Sequence, residues 1–138
     1  MKKIILALAA ILFSFNFNIS MAEQRTTPWM DITESKDSLY SYRMGSFDSA
    51  TTKGGKNVSS IVVQIKNKKE NSASYQKYYV SNEHCDLGMG KLIALDMNGE
   101  FIYENDFVSS GNSVSSGISD FICAFYKLNK KEKQDKGI

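Results

Sequence analysis

The chain has 138 residues, with one Pro, nine Gly, two Cys, one His and 23% charged residues. That length supports one small domain and excludes two. A formal charge of +2 excludes the strongly basic balance of a nucleic-acid binder, which needs a clustered cationic surface.

Residues 1–22 read as a targeting segment. Met1-Lys2-Lys3 is a short basic start, and Ile4 to Phe17 is an apolar run interrupted only by Ser14 and Asn16. Ser20-Met21-Ala22 then sets small residues where signal peptidase needs them, so cleavage is expected after Ala22. The run is shorter than the ~20 residues that span a bilayer, so no stable membrane anchor is expected after cleavage. No Cys lies near the cleavage site to accept a bacterial lipid. The Lys-Lys start has a bacterial look, and the expected location is the periplasm or the medium. Processing removes two of the 17 basic residues and none of the 15 acidic ones, which leaves 15 of each and no net charge.

The rest divides into one domain over 23–126 and a charged tail over 127–138, where lysines from Lys127 to Lys136 interleave with Glu132 and Asp135. Glu23 to Thr27 is an extended lead-in. Pro28 and Trp29 to Ile32 open the ordered part, with Trp29 read as core. Leu39 to Phe47 carries Tyr40, Tyr42 and Met44 at period two and predicts a strand. Gly54-Gly55 predicts a turn within Ala50 to Asn57. Val58 to Lys66 is the most β-branched run and predicts a central strand. Asn67 to Ser74 is a polar loop, and Tyr75 to Glu83 is a strand leading to Cys85. Gly88-Met89-Gly90 reads as a bulge. Asn98-Gly99 predicts a two-residue type I′ hairpin turn that pairs Asp96 with Phe101 and Leu95 with Ile102. Ser113 caps a helix whose apolar face is Val114, Ile118, Phe121, Ile122 and Phe125. Strands followed by one late helix predict an α+β domain, an antiparallel β-sheet with a C-terminal helix packed on one face.

Cys85 and Cys123 are an even pair in an oxidising compartment, which favours a disulfide from strand end to helix. Closing that loop constrains the unfolded chain by roughly 4 kcal/mol. A redox dithiol would be spaced Cys-x-x-Cys, and a zinc site would need two more ligands, with His84 the sole histidine. Cys123 lies about 150° from the centre of the apolar helical stripe at 100° per residue. Either the buried face is broader than the stripe, or Cys123 reaches the sheet edge sideways.

Catalytic chemistry is poorly supplied. His84 sits in a polar Ser-Asn-Glu-His stretch and reads as a surface residue. Asp96, Glu100, Glu104 and Asp106 are scattered by strand alternation. No catalytic residue, cofactor or metal site is expected. Tyr75, Tyr78 and Tyr79 are more suggestive. Strand alternation puts Tyr75 and Tyr79 on one face and Tyr78 on the other. If a helix covers one side only, at least one tyrosine faces solvent, and exposed tyrosine is favoured at protein interfaces. The three are the candidate binding residues. The plainer alternative is tyrosine on a wet sheet face with no partner.

The order of these features resembles the surface-adhesin protein E-like family. The resemblance rests on Trp29 with the Tyr40-Ser41-Tyr42 strand, the strand at Ile61-Val62-Val63-Gln64-Ile65 and a strand ending in Cys85. It continues through the Asp96-Met97-Asn98-Gly99-Glu100 hairpin, the polar link from Asn105 to Gly111 and a last helix with Ile122-Cys123. It covers most of residues 29–126 and lies in spacing, without a long shared motif. It implies an antiparallel sheet with a C-terminal helix and bridged cysteines. The family's name comes from lipid-anchored surface members that bind host extracellular proteins, and it offers no catalytic residues to carry over. This chain departs in lacking a lipidation cysteine.

The resulting expectation is an exported, non-enzymatic protein-binding domain, adhesin E-like, that engages host or envelope proteins. The alternative is a periplasmic immunity protein or inhibitor of a toxin or cell-wall-active enzyme, which size, disulfide and signal suit equally. An exported hydrolase is the third reading.

Overall fold

The β-branched run at the middle of the chain is where the sheet is centred. The computed structural model describes residues 28–137, and the expected signal segment and lead-in lie outside the described residues. The strands are β1 (Trp29–Glu34), β2 (Ser38–Arg43), β3 (Asp48–Thr51), β4 (Asn57–Asn67), β5 (Ala73–Ser81), β6 (Met89–Leu95) and β7 (Phe101–Val108). A short helix, α1 (Asn82–Leu87), follows β5, and a long one, α2 (Val114–Asp135), ends the chain. The sheet runs β1-β2-β4-β5-β6-β7, and every pairing is antiparallel. The strand β4 is long enough to take two partners on one edge. Residues 63–67 pair with β2, and residues 57–60 pair with β3.

One face of the sheet is the core. Tyr42, Ile61, Val63, Tyr78, Val80, Leu92, Ala94 and Phe107 point to it and meet Ile118 and Ile122 of α2. The Tyr42 ring packs against Phe121 and Phe125 at centroid distances of 5.0 and 5.3 Å. Phe47 stacks on Phe125 at 5.4 Å. Burial of this apolar set is the main driving force for the fold. Tyr78 is completely buried, and its hydroxyl is satisfied by Gln76 at 2.7 Å and by the Tyr103 hydroxyl at 2.7 Å. Burial pushes its ionisation far above the ordinary tyrosine range, and the Tyr103 hydroxyl adds to the shift.

The sheet curls around the start of α2. Ser116 Oγ accepts the Val108 N–H of β7 at 3.2 Å. At the next residue, a Cβ on Gly117 would lie 3.1 Å from Thr33 Cβ of β1. The two edge strands therefore both approach one helical turn, at adjacent residues. Gly117 is poor for helix formation, but a side chain there would push the helix off β1.

The bridge between Cys85 and Cys123 is formed. It joins two helices, because β5 ends at Ser81 and Cys85 lies on α1. Ser81 caps α1 by accepting the His84 N–H at 3.1 Å, and Gly88 ends it at φ 75°. Of the two routes open to Cys123, the broader buried face is the one taken. Ser116, Ser119 and Cys123 form a buried stripe beside Ile118 and Ile122, and Cys123 meets α1 through the disulfide. A disulfide suits an oxidising compartment. Among the described residues no helix is long and apolar enough to cross a membrane.

Three local expectations are corrected. The hairpin between β6 and β7 is a three-residue loop, with Gly99 N–H donating to Asp96 O at 3.0 Å and Asp96 N–H to Glu100 O at 2.8 Å. Only Gly99 is left-handed (φ 88°), so the turn is not type I′. The cause is Asp96, whose carboxylate accepts both the Asn98 and the Glu100 N–H at 2.9 Å. Leu95 consequently pairs with Phe101, one residue away from the expected partner. The segment after Tyr126 is not a separate tail. The helix continues to Asp135, Lys130 reaches Asp86 of α1 at 3.6 Å, and Tyr126 donates to the same carboxylate at 3.1 Å. The third correction concerns Trp29, which lies on the opposite side of the sheet from the core cluster.

Candidate functional site

Among the described residues no helix covers the other face of the sheet. Strand register sorts its side chains into rows, three of which lie at its middle. The first runs Asp31, Ser41, Gln64, Tyr75 across β1, β2, β4 and β5. The second runs Val62, Lys77, Leu95, Phe101 across β4 to β7, and the third runs Asp48, Ser60, Tyr79, Ile93, Glu104. Neighbours in a row are close enough to interact directly. Ser41 Oγ donates to Asp31 Oδ1 at 2.8 Å, and Gln64 Nε2 donates to the Tyr75 hydroxyl at 3.3 Å.

Aromatic residues dominate the first row's end of this face. Trp29 and Tyr75 belong to strands separated by β2 and β4, yet their rings meet with centroids 5.7 Å apart. Tyr75 remains 46% exposed. Tyr79 is half-buried in the third row, where it lines a hollow of about 270 Å³ with Val58, Ile93 and Glu104. The expected alternation thus holds. Tyr75 and Tyr79 share the open face, and Tyr78 belongs to the core and is out of reach of a partner. Tyrosine periodicity pointed to two of these residues. It could not point to Trp29, whose place beside Tyr75 depends on pairing across four strands.

His84 faces the same hollow from α1. Its Nδ1 accepts the Lys91 N–H at 3.3 Å. Strand β5 has by then turned into α1, so the imidazole replaces the main-chain partner that Lys91 would otherwise find. The His84 side chain lies over Gly90, and a Cβ there would overlap its Cγ, Nδ1 and Cβ. Gly90 is thus a close-approach glycine, and His84 completes the β6 main-chain bonding. Lys91 itself pairs with Asp106 on β7, and this hydrogen bond holds its proton more tightly than in an ordinary lysine. Among the described residues no three of His, Cys, Asp and Glu converge as a metal ion would require.

Comparison with protein-family models, with curated proteins and with solved structures returns no match.

Proposed function

We propose that this is an exported, non-enzymatic protein-binding domain of the adhesin E-like kind, which engages a host or envelope protein through the open face of its sheet. The observation that carries this reading is the Trp29–Tyr75 pair. These are the two residue types most favoured at binding hot spots, and they meet on the uncovered side with Tyr75 still half in water. The core does not need them, because α2 closes the opposite face without their help. Lys77, Gln64 and Glu104 are interleaved with the aromatic and aliphatic residues in these rows, which gives the face the mixed apolar and polar character of a protein interface. A signal peptide removed after Ala22 would deliver the domain to the periplasm or the medium, where the disulfide is stable. Binding here works through contact, since a processed chain of balanced charge has little long-range steering to offer.

The test is affinity capture on the immobilised protein from two sources, host extracellular proteins and bacterial envelope extract. A partner whose binding falls with Tyr75→Ala in a folded protein supports the reading. Capture of a toxin or a cell-wall enzyme that loses activity in the complex would replace the adhesin reading with the inhibitor reading.

A further inference from the structure

Among the described residues β7 is an edge strand and has β6 as its one partner strand. The direction of its main-chain groups follows from three contacts. Ser109 N–H donates to Gly88 O at 2.8 Å, which extends the β6–β7 register by one step and turns the groups of residue 109 toward β6. Val108 N–H points the other way and is taken by Ser116 Oγ, and Val108 O accepts the Gly111 N–H at 3.0 Å. Lys91, opposite Asp106, sends its N–H away from β7 to His84. Alternation along an antiparallel strand then turns the N–H and C=O of Asp106 and Glu104 off the sheet. The fold caps this edge at Val108 and leaves it open over the next two such positions. Both residues are exposed.

We propose that the β7 edge accepts an extended, basic segment of a partner protein as an additional strand, paired through the main chain of Glu104 and Asp106. Exposed edges are templates for such pairing, and proteins that add a strand take affinity from the backbone and selectivity from alternate side chains. Here the alternate side chains are two carboxylates on one face. Self-pairing of two β7 edges would set Glu104 opposite Glu104 or opposite Asp106, and like charges directly opposite are destabilising. A strand with alternating Lys or Arg would instead place a cation opposite each. Glu104 has no ion pair within the described residues, and the Asp106 side chain, although it meets Lys91, is 81% exposed. This proposal stands apart from the open-face reading, because it depends on the main chain of β7 and not on the β5 tyrosines.

The experiment is amide hydrogen exchange on the purified protein with a synthetic peptide of alternating lysine and valine. Exchange at the Glu104 and Asp106 amides should slow severalfold on addition of the peptide. A glutamate–valine peptide should give no protection. Glu104→Pro loses no ladder bond, because that N–H leaves the sheet, so the variant should fold and lose the protection. Glu104→Lys keeps the backbone donor and should weaken protection by repelling the basic peptide. Tyr75→Ala should leave it unchanged, which separates this outcome from failure of the open-face reading. Absence of protection, equal protection by both peptides, or a stable dimer paired through β7 would overturn the proposal.

Discussion

The two sides of β5 hold the same residue type in opposite circumstances. Tyr78 has no exposed surface, and its hydroxyl is held between Gln76 and Tyr103. Tyr75, three residues earlier, is 46% exposed and spends its hydroxyl on Gln64 at the surface. Strand parity makes the difference, since α2 covers only the side to which Tyr78 points. The lesson concerns what folding explains. Packing accounts for Tyr78 fully: a large ring fills the space under α2, and its one polar atom is paired. Packing accounts for Tyr75 only in part, because the ring lies on the face away from the core and about half of it is left in water. The covered face is the structural half of this sheet, and the open face is the half available for contact.

Substitutions on the covered side should be the most damaging. Tyr78→Ala should lose about 3–5 kcal/mol in denaturant unfolding, as for other buried aromatics. Tyr75→Ala should move the same measurement by about 1 kcal/mol, the loss of its ring contact with Trp29 at a half-exposed position. Similar losses at the two sites would break the comparison.

The disulfide belongs to the covered side and comes next. Cys85→Ser and Cys123→Ser should each lose about 2–5 kcal/mol. The double variant should be no worse than either single one, because all three remove the same bond. Additive losses would show that the cysteines act separately.

Gly90 and His84 sharpen the comparison at the sheet end. Gly90→Ala must displace the imidazole, and should cost about 1–3 kcal/mol. Only part of that cost should vanish in a His84→Ala background, because His84 Cβ, which alanine keeps, also lies 2.6 Å from the added carbon, and Gly90 sits at φ 157°. An undiminished penalty in the double variant would place the strain in the backbone instead.

A further effect on stability comes from pH. The folded ionisation of Tyr78 lies far above the ordinary value of 10.0, through burial first and the Tyr103 hydroxyl second. Its contribution is therefore fully present below pH ~10 and declines above that, as the unfolded chain ionises and the folded one does not. The slope should approach about 1.4 kcal/mol per pH unit. Unfolding curves collected through the alkaline range check this, and the slope should fall in Tyr78→Phe, leaving the smaller part due to Tyr40, which burial also raises.

The sequence revealed the parts that depend on long periodic patterns. The α2 stripe from Val114 to Phe125 and the β-branched β4 read correctly, and so did the split between Tyr75, Tyr79 and Tyr78. What it hid is local or nonlocal in specific ways. Strand β3 is four exposed residues, Asp48 to Thr51, with no apolar alternation to betray it. Helix α1 has only six residues, too few for a periodic signature. Its ends were nevertheless marked by Ser81 as cap and Gly88 as terminator. The β6–β7 turn followed the Asp96 side chain and overrode the preference of Asn98-Gly99 for a tighter loop. On the candidate site, the tyrosines were visible and their neighbours were not. Trp29 meets Tyr75 only through the order of the strands between them, which no local pattern encodes.

The central claim is that the open face binds and the covered face holds the fold. It is tested most directly by titrating a captured partner against the native protein, Tyr75→Ala and His84→Ala, with folding of each verified. The account predicts that Tyr75→Ala weakens binding by more than ~1 kcal/mol, roughly fivefold or more, while His84→Ala leaves it nearly unchanged. Equal affinity of the native protein and Tyr75→Ala, or turnover of a substrate that disappears with His84→Ala, would contradict it.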